Sequence, residues 1–362
     1  MKHPIFVLKI GLIIANLVAF ESSAQEIREK LSSATYICCI DGGGSKTEMQ
    51  VMDNQGRLVP IFKHDVPVES VKVPGSNMCT IGEKGVQQRL QSLFNGMKVG
   101  DKKLPIDDVK KDMIIFAGLA GLAGGGASMN NLAIRKILHD IGFLPDNLFV
   151  YSDGGLMFQA FKPGEILLIC GTGSACVGKD VDGKRIVRGG FGRLLGDEGS
   201  GYHIGLQAIK KALEIDQEEG EQTSLIPLIK EHLSVMELKN AVTPLQQGTI
   251  TPDQVASLAP SIFLEAKRGD ECAKQLVHAA AQDLGILLSK MVQRVGCEKQ
   301  TIYLTGGIFK GNERDAFIQA IFRSEAFKET YEQARPEVKL LTDRNPAVIA
   351  ALKLLESDKG SI

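Results

Sequence analysis

The sequence predicts an α/β protein with a duplicated domain. Short apolar runs that suit buried strands alternate along the chain with segments of helical periodicity, which is the pattern of α/β architectures. One local unit, an apolar strand followed by a turn of glycine and hydroxyl residues and then a second strand, occurs twice, about 130 residues apart. At 362 residues the chain is long enough for two domains of ordinary size.

The first copy of this unit begins with an apolar run at residues 36–40, which predicts a buried strand that ends at Asp41. The three glycines at 42–44 follow, and they permit a tight turn in which the backbone can approach a ligand closely. After Ser45, Lys46 and Thr47, the alternation at 48–51 predicts a return strand.

The spacing of this first glycine turn differs from the Walker A pattern G-x-x-x-x-G-K-[ST], and a strand follows it instead of a helix. A hairpin turn with exposed N–H groups, a hydroxyl and a lysine can still hold phosphate as a nest. Asp41 at the strand end can hold Mg²⁺ through water, because Mg²⁺ prefers few carboxylates and several waters. An ordinary glycine-rich hairpin is the alternative interpretation of this stretch alone.

The next part of the chain alternates between strands and helices. Several short strands are predicted in 35–75, a helix at 81–94, a strand at 112–117 that runs into a glycine-rich stretch, a helix at 130–141, and a strand at 147–151 that finishes at Ser152 and Asp153.

The second copy has an apolar strand at 166–170, the turn Gly171-Thr172-Gly173-Ser174, and a return strand at 175–178. A third strand–glycine junction follows much later, where the strand 302–305 meets Gly306 and Gly307. Residues 273–291 have a helical apolar face and predict a core helix, and a last helix is predicted from 345 to 355. Two facing nests could hold the phosphates of one nucleotide, with the third turn beneath its adenosine.

Composition indicates which functions and which cellular compartment suit the protein. The net charge of −1 leaves no basic footprint for nucleic acid. Seven scattered cysteines without zinc-ligand spacing fit free thiols in a reducing compartment. Residues 5–20 are apolar except for Lys9 and Asn16, and small residues follow at 22–24. This stretch is interpreted either as a signal peptide or as an extra hydrophobic helix. We expect a cytoplasmic protein, because an enzyme that needs ATP would find little of it outside the cytosol; export is the alternative. Residues 1–33 are set aside as an N-terminal extension.

The motifs together resemble a known group. D-G-G-G-S-K-T at 41–47, G-T-G-S at 171–174, G-D-E-G-S-G at 196–201 and T-G-G at 305–307 occur in the same order as in the N-acetylglucosamine kinase-like proteins. These belong to the BadF/BadG/BcrA/BcrD ATPase family of the actin–hexokinase–Hsp70 superfamily, and the resemblance covers about residues 35–356.

The resemblance implies an architecture. It consists of two RNase H-like (actin-like ATPase) domains with a nucleotide cleft between them. The first lobe would comprise 35–142 plus 344–358, and the second would comprise 143–343 with a helical insertion. The last helix would pack back on the first lobe, and the protein would form a homodimer.

The resemblance also implies the roles of individual residues. ATP would be bound, with Mg²⁺ at Asp41, by Gly43, Gly44, Ser45, Lys46 and Thr47, by Gly171, Thr172, Gly173 and Ser174, and by Gly306 and Gly307 under the adenosine. An amino sugar would be bound by Asn77, Asp153, Gly154, Gly189, Gly190 and Asp197. Carboxylates and amides suit this role because they recognise sugar hydroxyls. Asp197 and Glu198 could alternatively cap the helix predicted at 202–213.

One position departs from the family pattern. Ala123 stands where N-acetylglucosamine kinases carry an aspartate in a loop of the form S-G-G-D. Phosphoryl transfer depends mainly on positioning and electrostatics, so the loss is expected to weaken a kinase or change its sugar rather than necessarily abolish it. Asp153 is the candidate general base, with Asp197 in reserve.

The predicted function is ATP-dependent phosphorylation of N-acetylglucosamine or a close relative. A non-catalytic sugar or nucleotide sensor is one alternative, motivated by Ala123. An ATPase activator of an acyl-CoA dehydratase or reductase is another, although such activators hold an iron–sulfur cluster between paired cysteines, and no cysteine occurs between Thr80 and Ile169.

Overall fold

The structure is a computed structural model that describes residues 23–44, 46–122, 129–217, 222–341 and 345–356, with only the backbone of Asp153. The chain divides into two compact units. One consists of the described parts of Met1–Ala160 and Asp343–Ile362, and the other is Phe161–Thr342. Among the helices within these ranges, none is long and apolar enough to cross a membrane.

The described part of the first unit contains two sheets. Its strands are β1 (Ile37–Gly42), β2 (Lys46–Met52), β3 (Ile61–Lys63), β4 (Val66–Val68), β5 (Val71–Pro74), β6 (Met97–Val99), β7 (Leu104–Pro105), β8 (Ile114–Leu119) and β9 (Leu148–Tyr151). Its helices are α1 (Ala24–Ser33), α2 (Met78–Phe94), α3 (Ile106–Val109), α4 (Met129–Ile141), α5 (Asp153–Gln159) and the C-terminal helix Pro346–Glu356, with a 3₁₀ turn at Pro145–Asn147. The main sheet has the order β5-β2-β1-β8-β9, and a smaller sheet has the order β4-β3-β6-β7.

Strand β1 lies at the centre of the main sheet. Its residues Ile37, Cys38, Cys39 and Ile40 are fully buried, as expected for a strand covered on both faces. It pairs antiparallel with β2 and parallel with β8, and β8 pairs parallel with β9. The carboxyl ends of β1, β8 and β9 therefore meet at one edge of this sheet.

The second unit repeats this sheet. Its strands are β10 (Glu165–Cys170), β11 (Ser174–Lys179), β12 (Arg185–Gly189), β13 (Thr301–Thr305) and β14 (Glu337–Leu340). Its helices are α6 (Gly201–Ile215), α7 (Leu225–His232), α8 (Val242–Gln247), α9 (Pro252–Ala256), α10 (Ala259–Arg268), α11 (Glu271–Val295), α12 (Arg314–Phe322) and α13 (Lys328–Ala334), with 3₁₀ turns at Leu238–Ala241 and Gly307–Lys310. The order β12-β11-β10-β13-β14 matches that of the first unit, with antiparallel neighbours on one side of the first strand and parallel neighbours on the other. The duplication predicted from the sequence is therefore present in the topology.

The boundary between the units differs from the predicted one at 142/143. The structure places it after Ala160, because β9 pairs with β8 and α5 packs against β8 and the C-terminal helix. The residues set aside at the N-terminus are also partly structural. Helix α1 buries Ile27 and Leu31 completely and packs against the C-terminal helix.

The C-terminal helix belongs to the first unit, as the resemblance implies. Asn345 precedes it, with Oδ1 accepting a hydrogen bond from the Ala347 N–H at 2.8 Å. The Nδ2 of the same side chain donates to the Glu48 carbonyl oxygen of β2 at 2.9 Å. One buried amide thus begins the helix and attaches it to the first glycine hairpin.

The start of the long core helix α11 leads to a prediction. The Asp270 carboxylate caps this helix by accepting from the Ala273 N–H at 2.8 Å, and it also accepts from Thr223 Oγ1 and the Ser224 N–H, each at 2.8 Å. Replacing Asp270 by alanine is expected to lower the free energy of unfolding by about 1–2 kcal/mol near neutral pH, measured by urea titration.

The pH dependence of this effect follows from the pKa of Asp270. Burial raises that pKa, but the hydrogen bonds from Ala273, Ser224 and Thr223 lower it by more, so the pKa of Asp270 lies below its ordinary value. The stabilisation is therefore present above the ordinary pKa of about 3.9 and lost as the pH falls through the folded-state pKa. The exposed Glu325 provides the control, since its alanine variant should stay within about 0.5 kcal/mol of the natural protein. An Asp270→Ala variant with unchanged stability at neutral pH would contradict the prediction.

Candidate functional site

The first glycine turn connects β1 to β2 at the carboxyl edge of the first sheet. The Gly43 N–H donates to the Lys46 carbonyl oxygen at 2.9 Å and closes the hairpin. Gly44 is exposed and Gly43 half-buried, while Ser45 lies outside the described residues. A Cβ at Gly42 would lie 2.3 Å from the end of the Leu119 side chain, so a larger residue there would require that side chain to shift. The turn therefore presents its backbone at the surface of the unit.

A charged cluster lies beside this turn. Half-buried Asp41 at the end of β1 is paired across the hairpin with Glu48. Glu48 accepts hydrogen bonds from Lys46 Nζ at 2.7 Å and Ser70 Oγ at 2.8 Å, and Lys72 Nζ lies 3.4 Å away. Burial would raise the pKa of Glu48, but the hydrogen bonds from Lys46 and Ser70 and the charges of both lysines lower it overall. Anionic Glu48 thus holds the ammonium group of Lys46, and phosphate contact by Lys46 stays a prediction.

The hydroxyl of Thr47 points into the unit. Thr47 and Ser76 are both fully buried, and Thr47 Oγ1 donates to Ser76 Oγ at 2.6 Å. A Cβ at Gly75 would lie only 1.8 Å from the Gly44 carbonyl oxygen, so the loop 75–77 lies directly on the first glycine turn. A phosphate at this turn would meet the backbone, and the hydroxyl of Thr47 serves the packing of the loop.

Asn77 lies at the start of α2. Its Oδ1 accepts from the Cys79 N–H at 2.9 Å and caps the helix, so its Nδ2 is the atom that can turn to a ligand. The end of β8 covers it, because a Cβ at Gly121 would lie 2.4 Å from Asn77 Oδ1. The Met78 N–H donates to the Ala120 carbonyl oxygen at 3.4 Å. Ala123, where the family pattern has aspartate, lies outside the described residues.

Asp153 begins α5, directly after β9. Ser152 is the N-cap, with Oγ accepting from the Gly155 N–H at 3.1 Å, and Gly154 is the next helical residue. The register places Asp41 beside Gly118 and Gly118 beside Tyr151. Two strand spacings separate Asp41 from Tyr151, about 10 Å. Asp153 therefore follows a strand that ends at the same edge as the first glycine turn.

The second glycine turn occupies the equivalent position in the second unit. The Gly171 N–H donates to the Gly173 carbonyl oxygen at 2.9 Å. Ser174 is almost fully buried and donates from Oγ to the Glu198 carbonyl oxygen at 2.8 Å. Thr172 Oγ1 donates to Asp253 Oδ1 of α9 at 2.9 Å. Here too the side-chain hydroxyls hold the turn to its own unit.

Asp197 lies against this second turn. A Cβ at Gly173 would be 2.7 Å from Asp197 Oδ2. Asp197 has a φ of 62°, which is uncommon for a non-glycine residue. Burial raises the pKa of the nearby Cys170 thiol, and the charge of Asp197 raises it further. The carboxylate of Asp197 is thus part of the surroundings of the turn.

The interpretation of Asp197 and Glu198 as the cap of α6 is wrong. Ser200 is the N-cap, and its fully buried Oγ accepts from the His203 N–H at 3.2 Å. The cap lies three residues further along because Asp197 turns the chain with its positive φ, and the Ser200 N–H then donates to the Asp197 carbonyl oxygen at 3.1 Å.

Gly306 and Gly307 follow β13, next to the second turn. A Cβ at Gly306, which has a φ of 117°, would lie 2.1 Å from the Cys170 carbonyl oxygen at the end of β10. Apart from the adjoining residues, no described atom lies within 4 Å of the Cβ position at Gly307. One glycine thus packs two strand ends together, and the other borders open space.

Gly189 and Gly190 end β12 on the other side of the turn. Both have a positive φ, and the Gly190 N–H donates to the Ser174 carbonyl oxygen at 3.0 Å. The structure therefore brings the second turn, Asp197, Gly189–Gly190 and Gly306–Gly307 together in the second unit.

The sequence match to a known family covers most of the chain. Residues 39–339 match the BadF/BadG/BcrA/BcrD ATPase family. The chain belongs to this family.

Relatives of this ATPase-family chain include two sugar kinases. It is 26% identical to the N-acetylmuramic acid/N-acetylglucosamine kinase of Clostridium acetobutylicum, over 89% of this chain and 99% of that protein. It is also 26% identical to the N-acetyl-D-glucosamine kinase of Dictyostelium discoideum, over 88% of this chain and 98% of that protein.

A solved structure is similar in fold. The chain matches a candidate N-acetylglucosamine kinase from Chromobacterium violaceum with a TM-score of 0.62 and 21% identity, over 89% of this chain and 99% of that one. The two-domain actin-like ATPase fold expected from the resemblance is confirmed.

The site residues of this BadF/BadG/BcrA/BcrD-family chain are compatible with the ATP use that the family name implies. The hydroxyls of Thr47 and Ser174 point inward, so phosphate would meet backbone N–H groups at both turns, as in nests. Open space at Gly307 leaves room for a ligand. Within the described residues no group of three or more His, Cys, Asp or Glu could hold a metal. A Mg²⁺ held mainly by water and phosphate, with Asp41 as its single carboxylate, fits that arrangement.

Sequence reasoning missed two supporting residues. Ser76 lies between the strands predicted in 35–75 and the helix predicted at 81–94, but nothing in the sequence reveals that it is bonded to Thr47, which is 29 residues away. Asp253 is 81 residues from Thr172, and its only local signal is the helix start Thr251-Pro252, where Thr251 forms a capping box with Gln254.

Proposed function

We propose that this protein is an ATP-dependent kinase of an amino sugar, N-acetylglucosamine or a close relative. The observation that carries the proposal is the direct packing of the loop 75–77 on the first glycine turn. The loop that carries Asn77, which is expected to bind the sugar, and the turn expected to bind phosphate thereby form one piece of structure. Support for the substrate comes from two relatives that this chain matches over nearly their whole length. Both are named as kinases of N-acetylated amino sugars.

Asp153 would act as the general base. It would accept the proton of a sugar hydroxyl while that oxygen forms a bond to the γ-phosphorus and the bond to the β-phosphate oxygen breaks, releasing ADP. Asn77, Gly154, Gly189, Gly190 and Asp197 would bind and orient the sugar. Ala123 removes one carboxylate from this set, so we expect a kinase with weaker activity or an altered sugar preference.

The glycine turns would orient the triphosphate. Gly44, Ser45 and Thr47 would contribute backbone N–H groups from the first turn, and Thr172, Gly173 and Ser174 would do so from the second. The N–H groups of Gly43 and Gly171 close the two turns, which lets the backbone of both glycines border the phosphates. Lys46 would add a positive charge, and Gly306 and Gly307 would border the adenosine. Asp41 would hold a hydrated Mg²⁺, which supplies charge neutralisation at the phosphate oxygens when bound.

A sugar panel tests the proposed function. ADP release is measured with N-acetylglucosamine, N-acetylmuramic acid, glucosamine and glucose, each compared with a reaction without sugar. We expect an N-acetylated amino sugar to give the highest kcat/KM. Binding of a non-hydrolysable ATP analogue without turnover on any sugar would sink the proposal and favour a sensor.

A further inference from the structure

Two fully buried hydroxyls connect the first glycine turn to the loop 75–77. Thr47 Oγ1 donates to Ser76 Oγ at 2.6 Å, and both side chains have no exposed surface. In such a dry environment no water competes for the bond, so it holds its two partners firmly. Thr47 is β-branched and lies in a strand, which restricts its χ1 rotamer and so the direction of its hydroxyl.

The bond acts where strand pairing has ended. The ladder between β2 and β5 finishes at the pair Lys46 and Pro74. Beyond Pro74, the contact of Gly75 with the Gly44 carbonyl and the bond from Thr47 hold the loop on the turn. The contact of Gly75 is one of packing, and the hydroxyl pair supplies a directional contact on this side of the loop.

The other side of the loop is anchored to the same sheet edge. The Met78 N–H donates to the Ala120 carbonyl oxygen at 3.4 Å, and the Ala120 N–H donates to the Gly42 carbonyl oxygen at 2.6 Å. Gly42 pairs with Thr47 across the hairpin. These contacts form a closed ring through β1, β2, the loop and the end of β8, and the Thr47–Ser76 bond closes it through two side chains.

We propose that Thr47 and Ser76 are positioning residues for phosphoryl transfer, because their buried hydrogen bond fixes Asn77 relative to the backbone of Gly43 and Gly44. The inference rests on the proposed function, in which Asn77 orients the sugar and the turn orients the phosphates. The bond thereby sets the distance between the sugar oxygen and the γ-phosphorus. A displacement of about 1 Å between reacting groups can cost about 100-fold in rate.

The test uses the full-length protein with four changes: Thr47→Val, Ser76→Ala, the two combined, and Thr47→Ser. We measure kcat and KM for ATP and for the best sugar of the panel, and we normalise kcat to the fraction of protein that binds a non-hydrolysable ATP analogue. We expect each single variant to lose about 10- to 100-fold in normalised kcat, with smaller changes in both KM values. Thr47→Ser keeps the hydroxyl but not the β-branch, so its normalised kcat should lie above that of Thr47→Val.

The double variant distinguishes positioning from folding. A single change leaves one buried hydroxyl without its partner and can destabilise the unit, whereas removing both is nearly neutral for stability. We expect the double variant to be folded and no slower than the single variants, because all three lose the same bond. Unchanged normalised kcat in the double variant, or strictly additive losses, would overturn the inference. A natural protein that binds the analogue but phosphorylates no sugar would instead overturn the proposed function, and the inference with it.

Discussion

Asp153→Asn is expected to lower sugar-dependent kcat by about 10²- to 10⁴-fold, the usual contribution of a general base. Asparagine is close in size to aspartate and preserves the start of α5, where Ser152 provides the cap. Its amide cannot accept the sugar proton. We therefore expect the affinity for a non-hydrolysable ATP analogue to remain, and we expect the loss to appear in kcat.

The control for this variant is Asp146→Asn. Asp146 is an exposed carboxylate in the 3₁₀ turn just before β9, on the same segment of chain as Asp153. Its kcat should equal that of the natural protein in the same ADP-release assay. If Asp153→Asn retained more than about a tenth of the natural kcat, Asp153 would not be the base, and Asp197 would be the next residue to test.

The two sheets could be predicted from the sequence because their signals are local. Alternation of apolar residues and the glycine turns at 42–44 and 171–174 are read within about ten residues, and the structure places strands on both sides of each turn. The unit boundary depends instead on which neighbour β9 pairs with, and no local pattern carries that information. Similarly, the fit of α1 to the first unit depends on the C-terminal helix, more than 300 residues away in the chain.

The sequence predicted which residues form the candidate site better than it predicted where their side chains point. Thr47 and Thr172 stand in turns where a hydroxyl next to glycine suggests phosphate binding. In the structure each donates to a residue far away in sequence, Ser76 or Asp253. Direction depends on the tertiary partner, so a sequence motif can identify the turn without saying which of its groups face a ligand.

Gly306→Ala is expected to destabilise the second unit strongly, because the added methyl meets both backbone strain and a backbone clash. Gly306 has φ 117° and ψ 169°, a region that is almost exclusive to glycine. An added Cβ would also lie 2.1 Å from the Cys170 carbonyl oxygen, a backbone atom at the end of the central strand. We expect a loss of about 3–5 kcal/mol in the free energy of unfolding, measured by denaturant titration, and weaker binding of an ATP analogue.

Gly307→Ala is the matched control, because it adds the same methyl one residue further along. Apart from the adjoining residues, no described atom lies within 4 Å of its Cβ position, and its φ is outside the region that favours glycine. Stability should therefore change by less than about 1 kcal/mol. If adenosine borders Gly307, the methyl occupies ligand space, and the Kd of an ATP analogue should rise about 10-fold, equivalent to about 1.4 kcal/mol. Equal stability of the two variants would contradict the packing role of Gly306. Unchanged analogue binding by Gly307→Ala would place the adenosine elsewhere. The two variants together therefore distinguish a glycine that folding requires from a glycine that nucleotide binding requires.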